Sequence, residues 1–450
     1  MVQALRTDER IDSRAMVKVV QVVHYFLPRH VAGTEIYTYT LSKALMARGH
    51  EVRIFTREDG HFDQEYVEED QEHDGIPVRT AYFNKLGRRG LRLWDNFYLS
   101  FRNDMVDEHF WVFLNEFRPD VVHFQHTDGL SGNLIAIAKE AGVSTIFTLN
   151  DYWTLCHQTQ LITPKLQVCD GPGSGAKCAA CVEHPLISRT PLEPAIRFVG
   201  KLATIYRKRF MIKMLNSADL LIAPSGFLRE KFIAHGVQPG RIKTLDYGIV
   251  DHPFHGITKR QSTKLRIGYV GTIVRHKGVH VLIEAFNRLS HPDVELRVYG
   301  DPKVAPDYYQ EVKGLATHPG IRFLGSFDNG EIATILSEID LLVVPSIWPE
   351  NSPLTIHEAF LARIPVIASN IGGIPGLVED GKNGLLFTPG DSQDLLRMLC
   401  LVVENRDLLE DLVRGTPQVK TIQDNAEELE GIYQRLVREH AGHRMETTAR

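Results

Sequence analysis

The pattern that most constrains this chain is an alternation, met twice, of short apolar runs with glycine-bearing loops and helices. The first run, Val17-Lys18-Val19-Val20-Gln21-Val22-Val23, is short and β-branched, as a buried parallel strand should be. A loop holding Pro28 and Gly33 follows, then a helix over Glu35–Arg48 with Ile36, Leu41 and Leu45 at helical spacing. Gly49 stops that helix, and Glu51–Phe55 reads as the next strand. Strands at Val121–Phe124, Ser144–Leu149, Leu220–Ala223 and Ile242–Leu245, with a helix at Leu134–Ala141, continue the series. After the polar, periodless residues 251–263 it begins again. Strands are expected at Leu265–Val270, Glu295–Tyr299, Ile321–Leu324, Leu341–Val344 and Pro365–Ala368, and helices at Val279–Leu289, Glu331–Ile339 and Pro353–Ala362. Each series predicts a doubly wound, Rossmann-like α/β domain, and the pair predicts two domains facing a cleft.

The expected division is a tail at 1–15, an N-terminal domain at 16–250, a linker at 251–263 and a C-terminal domain at 264–423. A Glu- and Arg-rich amphipathic helix, Asp424–His440, within the last segment 424–450, is expected to pack across the domain boundary. A chain of 450 residues exceeds what one hydrophobic core usually supports, which agrees with two domains. The net charge of −5 creates no basic field for nucleic acid. No apolar run is long enough to span a bilayer, and residues 1–15 lack a signal-peptide core, so a cytoplasmic protein with reduced thiols is expected.

The segment Trp348-Pro349-Glu350-Asn351-Ser352-Pro353-Leu354-Thr355-Ile356-His357-Glu358 carries the strongest chemical signal. Glu350 follows a strand end, and Pro353 favours the first turn of a helix. Free backbone N–H groups near Leu354 and Thr355 then form an anion site, one turn before Glu358, whose carboxylate can accept from sugar or ribose hydroxyls. The loop Gly271-Thr272-Ile273-Val274-Arg275-His276-Lys277-Gly278 opens the domain's first helix, its glycines permitting close approach to phosphate and Lys277 supplying a cation. Gly300-Asp301 and Gly372-Gly373-Ile374-Pro375 are further strand-end loops at the same sheet edge.

Together these segments resemble the family-4 retaining glycosyltransferases of the GT-B fold. The likeness runs from about Met16 to 440 and is strongest over 264–390. Glu350 and Glu358 match that family's Glu-x7-Glu element, and Gly271 to Gly278 match part of its Gly-Arg-x4-Lys-Gly element. Ala32-Gly33-Thr34-Glu35 and Arg48-Gly49-His50-Glu51-Val52 resemble its opening. The resemblance implies that Glu350 contacts the donor sugar, Glu358 the ribose and Lys277 the diphosphate. Gly271, Thr272, Arg275, Gly300, Asn351, Ser352, Pro353 and Leu354 would line the donor, and Gly33 would meet it from the N-terminal domain. It also implies a UDP- or GDP-sugar donor, a glycan or lipid-linked glycan acceptor, retained anomeric configuration and a role in cell-surface polysaccharide assembly. Lys277 and backbone amides would stabilise the leaving diphosphate with no required catalytic metal. Three positions depart from the pattern. Thr272 stands where an arginine is usual, with Arg275 or His276 as substitutes, and Gly376 stands where a Glu is expected. Asn150-Asp151, taken with Glu350 and Lys277 as the catalytic set, replaces His-Asp, and asparagine cannot transfer a proton. A catalytically weak nucleotide-sugar-binding subunit is therefore the rival reading. A dinucleotide-dependent oxidoreductase is disfavoured, because no Gly-x-Gly-x-x-Gly follows Val23 or Val270.

Cys156, Cys169, Cys178 and Cys181 cluster in an insertion over 156–185, and Cys178-Ala-Ala-Cys181 has the spacing of a zinc knuckle. Either a structural zinc, or less expectedly an iron–sulfur cluster, orders this glycine-rich loop, or the thiols are reduced and unligated. Ile196–Leu215 carries Arg197, Lys201, Arg207, Lys208, Arg209 and Lys213 without an acid, interleaved with Phe198, Leu202, Ile205, Phe210 and Met214. Lys85–Arg102 is similar, with Arg88, Arg89 and Arg92. Such stretches either lie peripherally on an anionic membrane or pack one face on the domain beneath.

Overall fold

A computed structural model describes residues 16–60, 66–84, 92–182 and 193–448. The expected tail, the basic residues Arg88 and Arg89, and the end of the insertion at 183–185 lie outside the described residues.

The N-terminal half contains β1 (Lys18–Val22), β2 (Glu51–Gly60), β3 (Tyr66–His73), β4 (Ile76–Asn84), β5 (Val121–Phe124), β6 (Ser144–Thr148), β7 (Leu220–Ala223) and β8 (Ile242–Thr244). They form one eight-stranded sheet in the order β3-β4-β2-β1-β5-β6-β7-β8. The C-terminal half contains β9 (Leu265–Val270), β10 (Val294–Tyr299), β11 (Ile321–Gly325), β12 (Leu341–Val344), β13 (Val366–Ser369) and β14 (Gly384–Phe387), in the order β11-β10-β9-β12-β13-β14. Both are doubly wound. Strand order reverses beside β1 in one sheet and beside β9 in the other, so the loops after β1 and β5, and after β9 and β12, open at the two places where such sheets bind ligands.

The hairpin β3–β4 has no counterpart among the expected elements. Among the described residues β3 is the only antiparallel strand in either sheet, paired with β4 from Tyr66 opposite Phe83 to His73 opposite Ile76. It is an edge strand of sequence YVEEDQEH with none of its residues buried, so no buried face imposes an apolar alternation on it. Its carboxylates also discourage edge-to-edge pairing with another chain.

The halves share a core. One apolar cluster joins Val19, Leu41 and Ile146 of the first half to Ile339, Val344 and Ile356 of the second through Ala426, Leu429 and Tyr433. The last three lie on the long C-terminal helix, Ile422–Thr448, which packs on the N-terminal half. Tyr37 donates to Asn425 at 2.8 Å, and Arg48 pairs with Glu430 at 2.6 Å. His123, at the centre of β5, is fully buried between Thr148 and the Tyr433 hydroxyl, both at 2.7 Å. Burial pushes its pKa down to about 3, so it is neutral. The chain passes between halves twice, side by side: Ile249 bonds Lys420 and Ile422 through the backbone. Just beyond, in the expected linker, Phe254 is buried rather than solvated.

Candidate active site

In the C-terminal half, the loops after β9 and β12 meet at Glu350. Its Oε1 accepts from Lys277 Nζ at 2.7 Å, Ser346 Oγ at 2.6 Å and Trp348 Nε1 at 2.8 Å. The residue is only 4% exposed, yet its Oε2 has no partner among the described residues and is not sealed off. A carboxylate can accept several bonds. One oxygen is therefore saturated by the scaffold, and the other is open. Lys277 also lies 5.4 Å from the Trp348 ring centroid, which fixes the ammonium from a second side.

The glycines make this convergence possible. Gly278 adopts φ +71°, and a side-chain carbon there would lie 1.9 Å from the Pro345 carbonyl oxygen. Gly373 donates its N–H to the Glu350 carbonyl at 2.7 Å, and a side-chain carbon on it would strike the Asn351 carbonyl. Gly372-Gly373 is packed against the backbone it supports. Gly300 packs similarly close to the Gly271 carbonyl.

The helix Leu354–Leu361 starts just after Pro353, which is its N-cap residue rather than a first-turn residue. Its first N–H groups have no carbonyl partner within the helix, so the anion-binding end lies four residues from Glu350. Glu358, one turn on, has no side-chain hydrogen bond among the described residues, and burial pushes its pKa up to about 7. Arg275 goes elsewhere: its guanidinium pairs with Glu311 and covers the Tyr308 ring at 4.8 Å. His276 sits edge-on to Trp348 at 5.6 Å, and burial pushes its pKa down to about 4. Thr272 contributes its backbone carbonyl to the Tyr269 hydroxyl at 2.7 Å. Of the basic residues in this loop, Lys277 alone pairs with Glu350.

On the N-terminal half, the Asn150 side chain is committed to the scaffold. Its amide donates to the Gln125 carbonyl and Oε1, and its oxygen accepts from Tyr247 at 2.7 Å. Asp151 accepts from the Trp153 N–H at 2.7 Å and pairs with His126 Nε2 at 3.1 Å. His126, from the loop after β5, stacks on His24, from the loop after β1, with centroids 3.9 Å apart. Burial opposes charging of His126, but Asp151, Asp128 and Glu35 outweigh it and its pKa is raised. Burial and that neighbour hold His24 well below the usual range, and burial raises Glu35. Glu35 Oε2 and His24 Nδ1 are buried without partners.

The two edges touch. Asn351 donates to the Leu149 and Asn150 carbonyls at 3.1 and 3.2 Å and accepts from Ser225 at 2.9 Å. Ser352 donates to Asp246 at 2.8 Å, and Tyr152 donates to the Pro349 carbonyl at 2.8 Å. A side-chain carbon at Gly33 would already touch Leu354 at 3.6 Å. Asn351, Ser352 and Leu354, expected to line the donor, thus also join the halves.

Residues 253–419 match the family Glycosyl transferases group 1, and residues 31–251 match Glycosyltransferase Family 4. The two matches meet at the crossing between the halves. This chain is a GT-B glycosyltransferase of group 1 with a family-4 N-terminal domain. Alpha-monoglucosyldiacylglycerol synthase of Acholeplasma laidlawii is 23% identical to the glycosyltransferase over 386 residues, 84% of this chain and 86% of that one. Sulfoquinovosyl transferase SQD2 of Arabidopsis thaliana is 26% identical over 215 residues, 44% of this chain but only 41% of its own length. Among solved structures, Anabaena HepE in complex with UDP and glucose superposes with a TM-score of 0.63 at 18% identity, covering 93% of this chain and 99% of that one.

The insertion of the glycosyltransferase holds its four thiols half-buried, with no disulfide. Burial, then mutual proximity, pushes Cys156, Cys178 and Cys181 up, Cys178 to about 11. Cys169 Sγ lies 3.6 Å from the Gly171 carbonyl. As arranged, no three His, Cys, Asp or Glu side chains among the described residues could hold a metal ion. The basic stretch is the helix Glu193–Ser217, and its cations do not share one face. Arg207 is buried between the Phe101 and Trp153 rings and donates to the Trp153 carbonyl, while Phe198, Val199, Leu202 and Tyr206 are exposed. Among the described residues no helix is long and apolar enough to cross a membrane.

Ser346, Asp246, His24 and His126 were not singled out from sequence. Each follows a strand end, and that position was the available signal.

Proposed function

We propose that this glycosyltransferase transfers a sugar from a nucleotide-sugar donor, UDP- or GDP-linked, to a glycan or lipid-linked glycan acceptor, with retention, in cell-surface polysaccharide assembly. The observation that carries this reading is the half-satisfied Glu350 carboxylate. Its Oε1 is held by Lys277, Ser346 and Trp348, and its Oε2 is open to a sugar hydroxyl. Lys277 and the first-turn amides of Leu354–Leu361 place positive potential where a leaving diphosphate gains charge, which lowers the barrier without requiring a catalytic metal. Glu358 accepts from the ribose. The UDP held by HepE supports a nucleotide donor, and the lipid product named for the Acholeplasma synthase supports a lipid-linked acceptor. Retention rests on the likeness to family 4.

Thermal shift with UDP-, GDP-, ADP- and dTDP-sugars tests the donor, because a ligand that binds only the folded chain stabilises it by mass action. One nucleotide should stand out, and NMR of the product should show the donor's anomeric configuration. No stabilisation and no donor hydrolysis with any of the four would overturn the reading. A catalytically weak binding subunit is the second reading, favoured by Asn150, whose side chain is spent on Gln125 and Tyr247. Nucleotide stabilisation without turnover would select it.

Two accessory features belong to the same proposal. A structural zinc at Cys156, Cys169, Cys178 and Cys181 is supported by their shared insertion and mutual influence, and requires the thiols to turn inward. Metal analysis should then find close to one zinc per chain. A cytoplasmic enzyme resting peripherally on an anionic membrane is supported by exposed Phe198, Val199 and Leu202 beside Lys201 and Arg209. Co-sedimentation with phosphatidylglycerol vesicles, lost in Phe198→Asp, tests it.

A further inference from the structure

Asp246 lies in the N-terminal half, two residues beyond the end of β8. Its surroundings hold it still. Its carbonyl accepts from the Asn425 amide at 3.2 Å, and Asn425, fully buried on the C-terminal helix, is itself bonded to Tyr37. The next residue, Tyr247, donates its hydroxyl to Asn150 at 2.7 Å and its backbone N–H to Asp246 Oδ1 at 2.9 Å. The carboxylate is thus an anchored group, and it reaches across to the other half.

The same Oδ1 accepts from Ser352 Oγ at 2.8 Å, Ser352 Oγ lies 2.8 Å from His357 Nε2, and Nε2 lies 3.6 Å from Oδ1. A hydroxyl has one proton, and a carboxylate only accepts. The serine proton is therefore spent on Asp246, and Nε2 must carry the hydrogen that the serine oxygen accepts. Burial holds His357 below its usual range against the pull of Asp246, so the ring is neutral with its one hydrogen on Nε2. Ser352 and His357 are each only 5% exposed, so little water competes for these bonds.

The two residues bracket the start of the Leu354–Leu361 helix. Ser352 comes two residues after Glu350 and two before the first helical residue, and His357 immediately precedes Glu358. The N-cap residue, Pro353, makes no side-chain bond to the free amides of the first turn. Glu350 is tied down within its own half, by Gly373 and Lys277, whereas the helix start and Glu358 are tied to a carboxylate of the opposite half. We propose that Asp246 is a positioning residue for the transfer: through Ser352 and His357 it fixes the helix start and Glu358 in register with the N-terminal half. The inference rests on the donor site being the one read around Glu350. Groups held against each other across two halves govern turnover more than binding, because a small misplacement spoils the reacting geometry.

The test uses the full chain and compares wild type with Asp246→Ala, Ser352→Ala, the double variant and Asp246→Asn, which keeps an oxygen able to accept the Ser352 hydroxyl. Amide hydrogen exchange over 351–361 should quicken about tenfold in each alanine variant and no further in the double variant, since both changes remove one interaction. Asp246→Asn should stay within about threefold of wild type, and exchange in β5 and β9 should not change in any variant. With UDP-glucose or GDP-mannose as donor, release of the nucleoside diphosphate should show kcat lowered about tenfold in Asp246→Ala, with the donor KM changed less than about twofold. The proposal is overturned if exchange over 351–361 is unchanged, if it quickens equally in β5 and β9, if the two alanine effects simply add, if Asp246→Asn behaves like Asp246→Ala, or if KM rises while kcat holds. The expected exchange pattern in a chain that turns over neither donor would sink the donor reading and leave the clamp standing.

Discussion

The two halves solve the same topological problem with different chemistry. Each sheet reverses its strand order once, and at each reversal two loops face each other. In the C-terminal half those loops bring Lys277 against Glu350 and leave one carboxylate oxygen open. In the N-terminal half they bring His24 against His126, while Asn150 beside them is consumed by Gln125 and Tyr247. One edge is an ion pair with one carboxylate oxygen open. The other is a buried titratable cluster with unpaired atoms on His24 and Glu35. The contrast teaches that a doubly wound sheet supplies the position of a site but not its chemistry.

The largest effect should come from Lys277→Ala. It removes the cation that pairs with Glu350, so kcat/KM should fall tenfold or more, about 1.4 kcal/mol. A loss below twofold would erase the distinction drawn between the halves. Asp151→Asn comes next. It unpairs His126, and transfer to acceptor should fall about fivefold, roughly 1 kcal/mol, while nucleotide stabilisation is unchanged. Equal damage to nucleotide binding would place the cluster on the donor side instead.

Tyr433→Phe addresses how the halves are joined. It deprives fully buried His123 of its partner on the C-terminal helix, and unfolding in urea should show a loss of about 1 kcal/mol. An unchanged midpoint would mean that the helix is not integral to the N-terminal core.

A smaller effect concerns pH. Burial holds Glu358 up at about 7, so it passes from protonated to ionised between about pH 6 and pH 8. The ionised form is the better acceptor, and nucleotide affinity should rise a few-fold with pH across that window and lose the trend in Glu358→Gln. Folding stability has the opposite sign. The unfolded chain releases this proton nearer the ordinary carboxylate value, so the raised folded-state pKa costs stability as pH rises. Smallest of all should be Arg275→Ala. Its guanidinium is spent on Glu311 and Tyr308, and steady-state donor kinetics should change by less than about twofold. A defect exceeding that of Lys277→Ala would show that the loop has moved its charge.

The arrangement around Glu350 was legible because its parts are local. Glu350, the helix start at Leu354 and Glu358 lie within one strand-end-to-helix segment, where spacing along the chain translates directly into spacing on a helix face. The role of Arg275 was not legible, because Glu311 comes from a helix 36 residues on. Edge strand β3 left little trace, having almost no buried face to impose a pattern. The division of the basic helix Glu193–Ser217 also escaped, since charge alone does not reveal that Arg207 packs between Phe101 and Trp153.

By itself, the sequence determined the two doubly wound halves, the strand-end positions of the glycine loops and the spacing of Glu350 and Glu358 across one strand-end-to-helix segment. These follow from periodicity, turn chemistry and short spacings, all of which act over a few residues. Tertiary structure alone decided which oxygen of Glu350 stays open, that Asn150 is spent on the scaffold, that His126 meets Asp151, and that Tyr433 closes over His123. Each of these joins segments distant in the chain, and such pairings are set by how whole sheets and helices pack, which no local pattern encodes.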